Sequence, residues 1–295
     1  MSRVAYVNGR YVAHRAARVH VEDRGYQFGD GIYEVVHLHR GRPVDEDRHL
    51  ARLERSLRAI RLAMPMPRAA LGAVLREVAR RNRLVAGDGL LYVQVTRGVA
   101  RRDHPFPRPE VPPALVVTAK RIPPYPRSVE GWGVSCVTAP DERWARRDIK
   151  STNLLPNVLA RQAAREAGAW EAILYDPATG EVTEGAATSF WIVDEAGALR
   201  TRHLDASVLP GCTREALIAE LRAEGIAFEE RAFAVSDLPR AREAFLTSAT
   251  SFVRPVLRLD GRPVGDGAPG AVTRRLFDLF ARHVRGGPAN APGLA

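Results

Sequence analysis

Lys150 stands in the stretch ERWARRDIKSTNLLPNVLARQAAREAG (142–168) of a chain whose 44 Lys and Arg side chains include only two lysines, Lys120 and Lys150. Arginine meets almost every other need for positive charge. Arginine stays protonated, whereas lysine can lose its proton and attack a carbonyl. The retained amine therefore suits Schiff-base chemistry, and an ordinary surface lysine is the alternative reading of the same residue.

Schiff-base lysines serve carbonyl substrates or pyridoxal phosphate. Pyridoxal phosphate would need an acid for its ring nitrogen, donors for its phosphate and an anion site for the substrate carboxylate. In GEVTEGAATSFWIV, Glu184 lies between the PATG turn and a strand, where a carboxylate can project into a cleft; a solvated loop acid is the plainer reading. In LPGCTREAL, Gly211, Cys212 and Thr213 open a helix, whose unpaired N–H groups and the Thr213 hydroxyl form an anion site or a simple N-cap. FLTSATS adds small residues, Thr247 to Ser251 with Ser248 and Ala249 among them, suited to a tight loop against phosphate. Arg52 could add a charge-assisted bond. For a carboxylate, Arg102 and His104 in VTRGVARRDHPFP lie two apart and share a side of an extended segment.

The elements that must position these residues follow from periodicity. VAYV and RYVAH form a hairpin through Asn8-Gly9. GIYEVVHLH, LLYVQVTRG and PALVVTA read as strands, and DRHLARLERSLRAIRL and RAALGAVLREVARRN as helices. Further strands fall in WGVSCVTA, EAILYD, SFWIV and FLTSA, and helices at 155–166, 213–224 and 271–284. Antiparallel strands beside helices predict an α+β fold of two domains: a smaller N-terminal domain over 1–120, a proline-rich linker over 121–131, a larger cofactor-binding domain over 132–286 and a frayed tail over 287–295.

At 295 residues, 45% hydrophobic and 26% charged, the composition is globular. The formal charge of +10 comes from arginines interspersed with acids at helical spacing, which argues against a nucleic-acid partner. Cys136 and Cys212 form no ligand pattern, so no metal site is expected. No run approaches 18 apolar residues, and the expectation is a cytoplasmic chain without a membrane partner.

EDRGYQFGDGIYEVV (22–36), DIKSTNLLPNVLARQ (148–162), VTEG (182–185), GCTRE and FLTSATS together resemble the fold-type IV pyridoxal-phosphate enzymes, and within them the D-amino acid aminotransferases most closely. Branched-chain aminotransferases and aminodeoxychorismate lyase are relatives. The likeness spans roughly residues 3 to 285. It implies that Lys150 carries the cofactor, that Glu184 pairs with the pyridine nitrogen, that Arg52 and Thr213 hold the phosphate, and that Leu209 lies beneath the ring. Cys212 stands where the family supplies a backbone amide. Tyr33, Arg102 and His104 match the carboxylate trap of the D-amino acid enzymes. His49, beside Arg52, carries no assigned role. The resemblance also implies transfer of an amino group between a D-amino acid such as D-alanine and 2-oxoglutarate or pyruvate, in ping-pong order, by a homodimer in which the cofactor faces a loop of the partner subunit. Two residues depart from the pattern: Ala187 replaces a serine, and Ala249 a threonine that commonly bonds phosphate. A branched-chain L-amino acid or (R)-amine transaminase, the lyase, and a binding protein without chemistry are the competing functions.

Overall fold

The structure is a computed structural model and describes residues 3–286. By its internal contacts the chain forms two units. One contains the residues up to Tyr125 together with Ile149–Asn153, and the other contains Pro126–Asp148 and the residues from Leu154 onward. The division at Tyr125 lies inside the 121–131 segment. Ile149–Asn153, inside the 132–286 segment, groups with the first unit, where its backbone pairs with a strand. The frayed tail expected over 287–295 lies outside the described residues.

The first unit comprises β1 (Val4–Val7), β2 (Arg10–Ala13), α1 (Arg24–Phe28), β3 (Gly31–His39), β4 (Arg42–Pro43), α2 (Glu46–Ala59), α3 (Arg68–Arg81), β5 (Gly89–Thr96) and β6 (Ala114–Arg121). Its sheet runs β2-β1-β6-β5-β3-β4, all antiparallel. Asn8 and Gly9 both take positive φ between β1 and β2, as the Asn-Gly signal requires. Successive side chains on a strand point to opposite faces, so Ile32, Val36 and Leu38 of β3 bury against Leu50, Leu53 and Leu57 of α2 and Leu71 and Leu75 of α3. Glu34 shares that face, and Tyr33 lies on the other.

The second unit comprises β7 (Val134–Pro140), α4 (Leu155–Glu166), β8 (Glu171–Tyr175), β9 (Val182–Gly185), β10 (Ser189–Val193), β11 (Leu199–Thr201), α5 (Cys212–Ala223), β12 (Glu229–Glu230), β13 (Glu243–Ser248), β14 (Phe252–Leu259), β15 (Arg262–Pro263) and α6 (Ala271–Gly286). Its mixed sheet runs β12-β11-β10-β13-β14-β7-β8-β9, with β15 pairing β14. Glu184 sits within β9 rather than in the loop before a strand. The strand β14 has no counterpart in the sequence reading because Pro255 interrupts its run; its ladder with β7 begins only at Val256, just past that proline. Among the described residues, no helix is long and apolar enough to cross a membrane.

Candidate active site

In the first unit, Lys150 is held as part of an edge. The Tyr33 amide donates to the Lys150 carbonyl at 3.0 Å, the Thr152 amide donates to the Gly31 carbonyl at 2.9 Å, and Ile32 bridges Ser151. On the other side the Lys150 amide donates to Ser56 Oγ of α2 at 3.3 Å. With its backbone fixed between β3 and α2, the side chain places Nζ 3.2 Å from the Tyr33 hydroxyl and 4.3 Å from the ring centroid. Tyr33 stacks on Tyr92, 5.7 Å between centroids. Burial, with Tyr33 adding to it, pushes the Tyr92 phenol up to about 12, so at neutral pH it stays a neutral donor, bonded to Gln94 at 2.7 Å.

Arg52 is buried on α2, and its guanidinium forks onto Glu34: Nε to Oε1 at 2.7 Å and Nη2 to Oε2 at 2.9 Å. His49 Nδ1 lies 2.8 Å from the same Oε2. Burial works against the Glu34 charge, yet the pull of Arg52, reinforced by His49, holds the carboxyl well below the usual carboxylate range. Glu34 was not among the expected site residues, although an acid inside the apolar strand GIYEVVHLH signals a buried partner. It also supplies the missing function of His49, which helps fix the glutamate that aims Arg52.

Arg102 and His104 are exposed and gather on Phe28, with the Arg102 guanidinium 5.1 Å and the His104 ring 5.5 Å from the Phe28 centroid. Among the described residues, no hydrogen bond or ring contact joins either residue to Tyr33.

In the second unit, Glu184 is buried and one of its oxygens is clamped. Oε1 accepts from Arg143 Nη1 at 2.7 Å and from the Leu209 amide at 3.1 Å. Burial pushes the Glu184 carboxyl up despite the opposing pull of Arg143. Although burial disfavours its charge, Arg143 is lifted above its ordinary value by Glu184 and by Asp141, whose carboxylate takes Nε at 2.9 Å and Nη2 at 2.8 Å. Thr183 and Arg147 complete the hold on Asp141, at 2.7 and 3.2 Å. Neither Arg143 nor Asp141 was expected, since a link spanning 41 residues leaves no mark in local pattern.

Cys212 and Thr213, both buried, open α5, whose start at Gly211 carries no side-chain cap. A Cβ on Gly211 would lie 2.7 Å from Ser189 Oγ, so the backbone there admits no bulk. The hydroxyl cluster is partly occupied: Thr247 accepts from the Trp191 indole at 3.0 Å, and Ser248 bonds Ser251 at 2.8 Å and Thr250 at 3.1 Å within its own turn. Ala249 is half-buried in that turn, and the exposed Ala187 donates its amide to Glu171 at 3.3 Å. Each unit carries groups of the kind pyridoxal phosphate needs: the first an amine on a rigid backbone, the second a buried carboxylate clamped by Arg143 and an uncapped helix start suited to an anion.

A two-domain α+β chain with a lysine so held defines the class of fold-type IV enzymes. The amino-transferase class IV profile matches residues 31–259, and the chain belongs to that family. It is 38% identical over 281 residues to the D-alanine aminotransferase of Staphylococcus haemolyticus, covering 95% of this chain and 97% of the relative, and 40% identical over 270 residues to that of Bacillus licheniformis, covering 91% and 93%. The Escherichia coli branched-chain amino acid aminotransferase shares the fold with a TM-score of 0.85 at 24% identity, over 96% of this chain and 94% of that one.

Proposed function

We propose that the chain is a pyridoxal-phosphate-dependent transaminase that moves an amino group from a D-amino acid such as D-alanine to a small 2-oxo acid such as pyruvate or 2-oxoglutarate. The observation that carries this reading is the Lys150 amine, on a backbone bonded to β3 and α2, within 3.2 Å of the Tyr33 hydroxyl. D-specificity is supported by the relatives named D-alanine aminotransferase and by the Arg102 and His104 pair.

Bound pyridoxal phosphate supplies an electron sink for the negative charge left when the substrate Cα–H bond breaks. Lys150 would hold the cofactor, and its free amine would take the α-proton as general base and return it as general acid. Tyr33 orients that amine. Glu184 would keep the ring nitrogen protonated, with the Arg143 clamp stopping the carboxylate from turning away. Arg52, the Thr213 hydroxyl, the Cys212 amide and the Ser248 to Ala249 turn would hold the phosphate, and Leu209 would contact the cofactor. Arg102 and His104 bind the substrate carboxylate. A homodimer in which this loop serves the neighbouring copy accounts for its lack of contact with Tyr33 in a single chain.

Lys150 reaches one face of the substrate, so the side that holds the carboxylate selects the hand consumed. Single amino acids mixed with the holoenzyme, with conversion of cofactor to pyridoxamine phosphate followed by absorbance, test the reading. Rapid conversion by D-alanine or D-glutamate supports it. Conversion by L-leucine, L-valine or an (R)-arylalkylamine, with none by D-alanine, overturns the D-assignment and leaves the fold and family untouched. Borohydride reduction should fix the cofactor to Lys150, and Lys150→Ala should lose turnover by at least about 10²-fold to 10⁴-fold.

A further inference from the structure

The segment EDRGYQFGD contributes no residue to the roles above, yet its arginine is among the most enclosed charges of the first unit. Arg24 is 3% exposed. Its Nε donates to Asp30 at 2.9 Å, Nη1 donates to the Asp103 carbonyl at 2.5 Å, and Nη2 donates to the His104 carbonyl at 3.1 Å. The two carbonyls lie on either side of His104, in the ARRDH loop that carries both Arg102 and His104. The same guanidinium lies 4.7 Å from the centre of the Phe28 ring, against which both side chains rest.

Asp30 is tied in turn to the body of the unit. Arg97 forks onto it, Nε to Oδ2 at 2.8 Å and Nη2 to Oδ1 at 3.0 Å, and donates to the Ile60 and Arg61 carbonyls just past the end of α2 at 2.8 and 3.1 Å. Arg97 also lies 3.6 Å from the centroid of Phe106, two residues beyond His104. The local backbone is built for this contact. Asp23 caps α1 by accepting from the Gly25 amide at 2.8 Å and from Thr96 Oγ1 at 2.9 Å, and a Cβ on Gly25 would stand 2.2 Å from Thr96 Cγ2. An exposed loop has been given a buried arginine as its anchor, and that arginine's charge is balanced by an acid it shares with a second arginine.

We propose that Arg24, held by Asp30, is a positioning residue that sets where Arg102 and His104 stand and thereby sets the affinity for carboxylate substrates. The proposal rests on the reading that Arg102 and His104 bind the substrate carboxylate. Arg24 touches neither substrate nor cofactor; it acts through two backbone carbonyls. A planar guanidinium that donates in three directions is what the geometry uses, and neither lysine nor glutamine can reproduce it.

The test compares holoenzyme Arg24→Gln, Arg24→Lys and Arg102→Leu, and the double variant Arg24→Gln with Arg102→Leu. Arg24→Gln leaves Asp30 paired with Arg97, and Arg24→Lys keeps the charge should the glutamine variant fail to fold. Expected for both Arg24 variants is a rise of about tenfold or more in KM for amino and oxo acids, a smaller change in kcat, and an unchanged cofactor absorbance band. Amide hydrogen exchange in peptides covering 100–107 should quicken, which the Arg102 variant should not show. In the double variant KM should not rise beyond that of Arg102→Leu, because both changes act through one contact. If Arg102→Leu raises KM while both Arg24 variants bind substrate and exchange amides as the wild type does, the positioning proposal falls and the carboxylate reading stands. If Arg102→Leu binds carboxylates normally, the carboxylate reading falls and takes the proposal with it.

Discussion

The Tyr33 hydroxyl lies 3.2 Å from Lys150 Nζ, and the same amine lies 4.3 Å from the ring centre, so one side chain offers the lysine both a hydrogen bond and a π face. Tyr33→Phe keeps the face and removes the bond. The loss of one hydrogen bond to a charged group, about 1.5 to 3 kcal/mol, should lower the single-turnover rate by roughly ten- to a hundredfold. Tyr33→Ala should lose more, since cation–π attraction adds about 0.5–1 kcal/mol at exposed sites and more when desolvated. Equal losses in the two variants would mean that the hydroxyl alone matters.

Glu34→Gln removes the charge that faces Arg52 and His49. Leaving a buried arginine without its counter-ion should cost about 3–5 kcal/mol of stability, read by denaturant unfolding of the apoprotein, and should weaken cofactor binding. The pH dependence has a definite sign. The Glu34 carboxyl in the folded state lies below its ordinary value, so its contribution is complete above the unfolded value of about 4.3 and is lost as pH falls toward the folded one. The gap between wild type and variant should be constant from pH 8 to about 5 and should shrink below about 4.

Arg143→Gln acts on an acid whose carboxyl burial has already pushed up. For such a group the folded state holds the proton longer than the unfolded state does, so its contribution to stability falls as pH rises through the interval between the two values. Without Arg143 that interval should extend upward, while Asp141 keeps Arg147 and Thr183. The variant's apoprotein should therefore lose stability relative to wild type as pH rises above the ordinary carboxylate range, and its bound cofactor should show a changed absorbance spectrum. A pH-stability profile parallel to that of wild type would show that Glu184 does not depend on Arg143 for its charge.

Mixing subunits tests the dimer. If the Arg102 loop serves the neighbouring copy, Lys150→Ala and Arg102→Leu protomers, each impaired alone, should regain activity when unfolded together and refolded, because each mixed dimer contains one complete site. Recovery of at least about a tenth of wild-type kcat/KM is expected, since roughly half of randomly paired dimers are mixed and each has one site of two. No recovery in a mixture shown to contain mixed dimers would place the loop's action within its own chain.

The longer helices were legible because their apolar residues recur at helical spacing, and α4 begins and ends where the pattern does, while the five-residue α1 is too short to show a period. The strand β3 was legible over all nine residues. What escaped the sequence was non-local. Lys150 stood out by composition, but nothing in its neighbourhood reports that residues 149–153 pair with β3, more than 110 residues earlier. The arginine partners of Glu184 and Asp30 were hidden by abundance: with 44 basic side chains and nearly all of them arginine, a buried guanidinium has the same sequence signature as a solvated one. Pro255 concealed β14 by breaking the pattern that would have revealed it.

Tyr33 and Glu34 are neighbours in sequence that face opposite ways, one toward the Lys150 amine and the other toward Arg52, and β3 holds this alternation against β5 through eight consecutive pairs from Gly31 to Leu38. The strand is therefore a ruler that tolerates changes of residue but not of count. A single deletion within the strand ahead of Tyr33 would exchange the two faces and put an acid where the lysine expects a phenol, and an insertion there would turn Tyr33 toward Arg52. Lineages of this chain should accordingly vary in length in the loops beyond the strand and keep the spacing from Gly31 to His39 free of gaps.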